Sequence, residues 1–410
     1  MQSIREIYKI GKGPSSSHTM GPERAARIFK EEHPDAELYR VILYGSLSKT
    51  GRGHGTDRVL NEVLGGTGKG GSGKSEIVFS DESPDGVVHP NTMDFLALKD
   101  GQVTDSMRAV SIGGGDIRIE GREVPEEKEV YPENSFAEVE EFCRFRSLNL
   151  AEYVYLTEDD GLKDFLLRVW DQMKKTIDEG LNTEGFLPGP LKVERKAKML
   201  INFKMEHYHP QVEESRKIAA YAYATAEQNA DCKAVVTAPT CGACGVIPAV
   251  FYYVQQTRGL TDEQMAEGLA VAGLIGNLIK RNASISGAEC GCQAEIGAAC
   301  AMAAAGLDFL YNLSTSQIQY AAEIALEHHL GLTCDPILGL VQVPCIERNA
   351  VAAMRAMDCC NLSYFLSDTQ RISFDIAVRT MYETGKSINR RFRETSEGGL
   401  AKMYGRRNQL

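Results

Sequence analysis

The chain has 410 residues and a net charge of −11, long enough for two hydrophobic cores and too acidic for a general nucleic-acid binder. Apolar residues make up 43% and charged residues 25%, ordinary globular values that exclude a disordered chain. Met1 to His18 lacks the apolar core and cleavage site of an export signal, and no stretch offers the ~18 apolar residues of a membrane span, so a cytoplasmic protein without membrane contact is expected.

From the N-terminus, Pro22 to Glu32 has helical spacing, and extended patterns follow at Tyr39 to Ser46, Glu76 to Phe79, Phe95 to Leu98, Gln102 to Val110 and Ile117 to Val124. Gly and Pro clusters separate them, including the turn Ser83 to Gly86, which predicts an α+β domain over 1–130 with a small, mostly antiparallel sheet. The acidic stretch Val124 to Asn134 reads as a linker. Beyond it the periods turn helical at Phe136 to Arg146, Asn149 to Tyr155, Leu162 to Asp178, Pro210 to Glu227 and Asp262 to Asn282. The Ala- and Gly-rich run Ala294 to Leu310 predicts a buried helix, so an all-α second domain is expected over 135–410.

Gly68 to Ser75 matches the phosphate-cradling pattern G-x-x-x-x-G-K-S letter for letter. That loop needs a strand before it and a helix after it, whereas here a helical pattern precedes and a strand pattern follows. A Gly/Lys connector is the favoured reading, with nucleotide binding as the competing one. Eleven cysteines are many for a chain without an export signal, and the cytosol keeps thiols reduced. Cys241 and Cys244 have redox-pair spacing without the strand that usually precedes it, and Cys359 and Cys360 sit in a helical run, so core packing is expected for all four. Cys292, Cys334 and Cys345 each stand beside Gly or Pro, where the chain bends. Their spacing fits neither a short zinc ribbon nor the tight ferredoxin run, so on the residues alone structural burial stays open beside metal ligation.

Three histidines lie in loops rich in Gly, Pro and hydroxyl residues, a setting suited to acid/base or anion-binding work. His18 follows Ser15, Ser16 and Ser17 between two Gly-Pro corners; glycines flank His54 and leave its ring uncrowded; His89 opens the run to Met93.

Together these segments closely resemble the iron-sulfur-dependent L-serine dehydratases (L-serine ammonia-lyases) of bacteria, over nearly the whole chain. The most specific matches are Gly13 to Thr19, Tyr44 to Leu47, Gly53 to Asp57, Ser111 to Gly115, Asn182 to Pro190 and Thr237 to Thr240. Others are Arg281 to Glu289, Gly291 to Gln293, Leu332 to Pro336 and Val343 to Asn349. The resemblance implies a 4Fe-4S cluster on Cys292, Cys334 and Cys345 with one iron left open, an α+β plus all-helical fold, and a homodimer. It implies no ligand role for Cys241 or Cys290. Some single-chain relatives end in a cysteine that covers the open iron, and here no cysteine follows Cys360, so no such cover is expected.

The expected reaction is dehydration and deamination of L-serine to pyruvate and ammonia, with the open iron as Lewis acid and a histidine as base. L-Cysteine or L-threonine is the alternative substrate. His54 is the expected base, with His18 and His89 orienting the carboxylate or the leaving group. Ser15, Ser16, Ser17, Ser111 and the backbone of Gly113, Gly114 and Gly115 are expected to bind the substrate carboxylate, with Asn282 and Ser284 lining the same pocket.

Overall fold

The structure, a computed structural model, describes residues 1–65, 74–80, 89–122, 129–204, 207 and 209–408. Its strands among the described residues are β1 (Ile10–Lys12), β2 (Leu38–Leu43), β3 (Lys74–Phe79), β4 (Thr92–Lys99), β5 (Gln102–Gly113), β6 (Asp116–Ile119) and β7 (Ala234–Val236). Five of them form a sheet in the order β3-β2-β4-β5-β6. The pairs β2–β4, β4–β5 and β5–β6 are antiparallel, and β2–β3 is parallel. In β2 burial alternates residue by residue, so Tyr39, Val41 and Leu43 face inward. Against that face lie the helices α1 (Gly21–Glu32) and α3 (Thr56–Leu64), with the shorter α2 (Gly45–Thr50) beside them; Phe29, Leu60 and Leu64 close a small core with Phe95 and Ala109.

The parallel pair requires a crossover, and α2 and α3 lie within it. Lys74 and Ser75 are the first residues of β3, paired with Leu38 and Tyr39. A strand therefore follows the Gly/Lys stretch, so the helix N-terminus that would receive a phosphate is missing there. Gly68 to Gly73 and the turn Ser83 to Gly86 lie outside the described residues.

From Phe136 onward the chain is almost wholly helical. The Ile296–Leu310 helix is buried along nearly its whole length and is surrounded by the helices Val246–Arg258, Asp262–Asn282, Thr315–Glu327 and Cys345–Leu366. Small side chains permit that closeness. A Cβ on Gly306 would stand 2.5 Å from the Phe251 ring and 3.0 Å from the Gly268 carbonyl oxygen.

Two segments cross between the parts. Ile4, Ile7 and Tyr8 sit in the helical core, where the Tyr8 hydroxyl donates to the Leu269 carbonyl at 2.8 Å, and β1 pairs antiparallel with β7. The first twelve residues therefore belong to the helical part, and the sheet part begins with α1. At the expected linker, residues 123–128 lie outside the described residues, and Tyr131 is buried with its hydroxyl on Glu158 at 2.9 Å.

Candidate active site at the junction of the two parts

Ser15 begins a single π-helical turn, Ser16–Met20, and its hydroxyl accepts the His18 backbone N–H at 3.1 Å. Such turns are uncommon and recur at functional positions. This one puts His18 wholly out of solvent, with the Ser17 hydroxyl 2.8 Å from Nδ1 and the Ser46 hydroxyl 3.0 Å from Nε2. The Ser15 and Ser17 hydroxyls are thus used in building the histidine's seat, as Ser15 Oγ also lies 3.3 Å from Ser17 Oγ.

His54 comes from the glycine-flanked turn between α2 and α3. Gly53 is required there, since a Cβ would stand 2.8 Å from the Gly339 and Leu338 carbonyl oxygens. The flanking glycines do not leave His54 open. It is 1% exposed and lies against His18, with ring centroids 4.5 Å apart. His54 Nδ1 is 2.9 Å from the Thr50 carbonyl oxygen. A carbonyl only accepts, so Nδ1 carries the hydrogen and Nε2 of the neutral ring keeps a free lone pair. Burial lowers His54 from 6.5 to about 4, and burial followed by the neighbouring His54 holds His18 well below its ordinary value. Both rings are neutral near pH 7.

Across from this pair stand the three cysteines. Cys292 opens the short 3-10 turn Cys292–Ala294, Cys334 lies in an extended bridge to Arg393, and Cys345 is the first residue of the Cys345–Leu366 helix. All three thiols are free. A hydrogen bond with Cys334 lowers Cys292 against burial and raises Cys334, while burial and then the charge of Cys292 push Cys345 up. Arg348 lies within reach of all three. Burial opposes its charge, but Cys292 and Cys345 hold it, and its Nη1 donates to the Thr333 carbonyl at 2.7 Å.

Two carboxyls face the thiols, Glu295 half-buried and Glu394 buried. Glu295 accepts from the Thr240 hydroxyl at 2.7 Å and is raised by burial. Glu394 is raised well above the usual carboxylate range, by burial first and then by Glu295 and Cys292. It holds a left-handed φ of 55°, its N–H donates to the Cys334 carbonyl at 2.7 Å, and Oε1 stands 3.8 Å from both His18 Nδ1 and His54 Nε2. Strain of this kind gathers at functional positions. Glu394 therefore links the imidazoles to the thiols. Its sequence surroundings carry no signal for that role, whereas Arg348 stands three residues after Cys345 on the same helix.

A cleft of about 580 Å³ opens beside this centre, lined by Ser46, His89, Asn91, Ser286, Glu289 and Arg393 among others. His89 Nδ1 accepts the Asn91 N–H at 3.1 Å, and burial, then Arg118, lowers its pKa. Ser111 is fully buried, its hydroxyl has no partner among the described residues, and its N–H donates to the Asn91 carbonyl at 3.0 Å. The turn through Gly113, Gly114 and Gly115, all at positive φ, faces Ser286 and Ile285 of the helical part. Ser16 is buried within the π turn, and Ser284 Oγ donates to Glu289 at 2.8 Å. Asn282 is elsewhere: exposed, with its amide on the carbonyls of Asn134 and Leu278.

Among the described residues, no three His, Cys, Asp or Glu side chains close around a single metal ion. The donor set at the junction is nevertheless uniform: three free thiols beside one guanidinium. That is the soft-donor chemistry of an iron-sulfur group and not that of a hard cation. Cys241, Cys244, Cys359 and Cys360 are buried in the cores.

Two family models match the chain, the serine dehydratase beta chain over residues 3–70 and the serine dehydratase alpha chain over residues 96–401. The chain is 40% identical over 449 aligned residues to L-serine dehydratase 2 of Escherichia coli (strain K12), with 98% of each covered. It is 38% identical to an L-serine dehydratase of Streptomyces coelicolor, covering 97% of this chain and 98% of that one. For an L-serine dehydratase of Helicobacter pylori (strain ATCC 700392 / 26695) the identity is 37%, with 98% of each covered. With both family regions present in one chain and the similarity running end to end, the chain belongs to the serine dehydratase family.

Proposed function

We propose that this chain is an L-serine ammonia-lyase, a cytoplasmic homodimer that converts L-serine to pyruvate and ammonia with a 4Fe-4S cluster held by Cys292, Cys334 and Cys345. The observation that carries the reading is a neutral imidazole pair facing three free thiols across one carboxyl. The substrate class rests on the names of the relatives. No described helix is long and apolar enough to cross a membrane, and exposed apolar side chains such as Tyr364 and Phe365 offer surface for a second copy.

When bound, the cluster supplies a Lewis-acidic iron for the substrate hydroxyl, which otherwise leaves poorly. The protein's own groups handle the proton. His54 Nε2 takes the Cα hydrogen, because the Thr50 carbonyl fixes the hydrogen on Nδ1 and burial keeps the ring neutral. His18 is bonded at both nitrogens, so it holds position beside His54 and does not compete for the proton. Loss of the hydroxyl yields an aminoacrylate, which tautomerises and hydrolyses in water to pyruvate and ammonia.

The test is anaerobic purification, followed by iron and sulfide determination and by assays for pyruvate from L-serine, sulfide from L-cysteine and 2-oxobutyrate from L-threonine. Bound iron and sulfide with pyruvate as the main product are expected. A protein that carries iron and sulfide but releases no pyruvate from L-serine would overturn the reading.

A further inference from the structure

Two residues that line the cleft beside His89 carry buried polar groups of opposite kind with no partner among the described residues. Arg393 Nη1 donates to the Glu289 carbonyl at 2.8 Å, but its buried Nε has no partner among the described residues. Asn91 is 3% exposed; among the described residues its Oδ1 has no partner, and its amide nitrogen makes a long 3.4 Å bond to the Ser111 carbonyl. Buried polar groups in folded proteins are nearly always paired, so two orphans carried by residues that line one cleft call for a ligand. The other charged groups lining the cleft are paired or at its exposed rim. Glu289 is bonded by Lys386 at 2.6 Å and Ser284 at 2.8 Å, Lys49 pairs with Glu397, and Arg390 is exposed.

A cationic donor and a neutral acceptor together complement a zwitterion. A guanidinium N–H is the natural partner of a carboxylate, and an amide oxygen that of an ammonium. The cleft also leads to the reacting centre. Ser46 lines it with its hydroxyl 3.0 Å from His18 Nε2, and Arg393 directly precedes Glu394, which stands 3.8 Å from both imidazoles. We infer that this cleft seats the α-amino-acid zwitterion, with the carboxylate on Arg393 Nε and the ammonium on Asn91 Oδ1. The side chain of the amino acid then points toward His54 and the cysteines. This deepens the proposed reaction and rests on it for the direction of the substrate. It also separates two tasks: Ser15 and Ser17 hold His18, and Arg393 takes the carboxylate.

The experiment is anaerobic calorimetric titration of the cluster-loaded enzyme with three unreactive probes: L-alanine, L-alaninamide, which lacks the carboxylate, and propionate, which lacks the ammonium. Arg393→Gln is expected to weaken L-alanine by about 10–100-fold, the range of a charge-assisted hydrogen bond, and to leave L-alaninamide unchanged. Asn91→Leu is expected to weaken L-alanine and leave propionate unchanged. Equal weakening of both probes by either variant, no weakening of L-alanine, or a wild-type enzyme that binds L-alanine no better than L-alaninamide would each overturn the assignment. Pyruvate release from L-serine is measured on the same wild-type preparation. If it persists while the probe difference is absent, only the zwitterion seat falls; if it is absent, the reaction itself falls.

Discussion

Replacing His54 by Gln tests the base through its protonation. The neutral native ring has a pKa of about 4 against 6.5 for an ordinary histidine. As pH falls below 6.5 the unfolded chain takes up a proton that the native ring refuses, so the native state loses stability until about pH 4. The shift of roughly 2.5 units is worth about 3.4 kcal/mol in full, and about 2 kcal/mol is already lost at pH 5. His54→Gln removes this penalty. Its melting temperature is expected to fall less than the wild type's between pH 7.5 and pH 5. The same lone pair sets the rate, so wild-type kcat/KM for L-serine is expected to stay level down to pH 5, while the variant makes no pyruvate with its iron content intact. Parallel melting curves for the two proteins, or an acid limb in kcat/KM near pH 6.5, would refute a buried neutral His54.

Substituting Cys292, Cys334 or Cys345 by Ala is expected to lower bound iron and abolish pyruvate formation, whereas Cys241→Ala keeps both; iron and sulfide analysis of anaerobic protein separates the two groups. Gly180→Ala pits a helix-propensity gain of roughly 1 kcal/mol against a Cβ placed 2.4 Å from the Ala224 carbonyl oxygen. Backbone cannot yield as a side chain does, so a net loss of about 1–3 kcal/mol is expected, read as a lower melting temperature. Asp308 has the opposite pH sign to His54. Burial raises its carboxyl to about 7, so the native state keeps a proton that the unfolded chain has lost, and stability falls as pH rises from about 4 to 7. Asp308→Asn is therefore expected to melt higher than wild type at pH 8 and to lose that advantage at pH 4; a constant difference would show that the carboxyl does not titrate there.

The local elements were legible because each has a period. The helices expected at Phe136 to Arg146 and Asp262 to Asn282 are found with those bounds, and β2 to β6 each overlap an expected strand. The Gly68 to Ser75 pattern also resolves locally, because alternation at Lys74 to Phe79 marks a strand where a phosphate loop needs a helix. Period says nothing about partners distant in the chain. The β1–β7 pair joins three residues to three residues across the whole sheet part and the first helices of the helical part, so its alternation is too short to see. Tyr44 to Ser46 read as strand, but Gly45 turns the chain at a positive φ and starts α2. Glycines around His54 suggested an open ring, yet Gly53 serves a close approach to the Leu338 and Gly339 backbone, and the ring is buried. Glu394 and Arg393 gave no signal because their roles exist only where the C-terminal segment meets the N-terminal turn.

That meeting has a consequence for the life of the chain on the ribosome. The Ser46 hydroxyl donates to the Glu394 carbonyl across 348 residues of sequence. At 5–20 residues per second this separation is roughly 20–70 s of synthesis, during which the sheet part can fold but the junction stays incomplete. A nascent or truncated chain that already carries His18, His54 and all three cysteines still lacks Arg393 and Glu394. Under the proposed reading, the junction is completed only once Arg393 and Glu394 have been made.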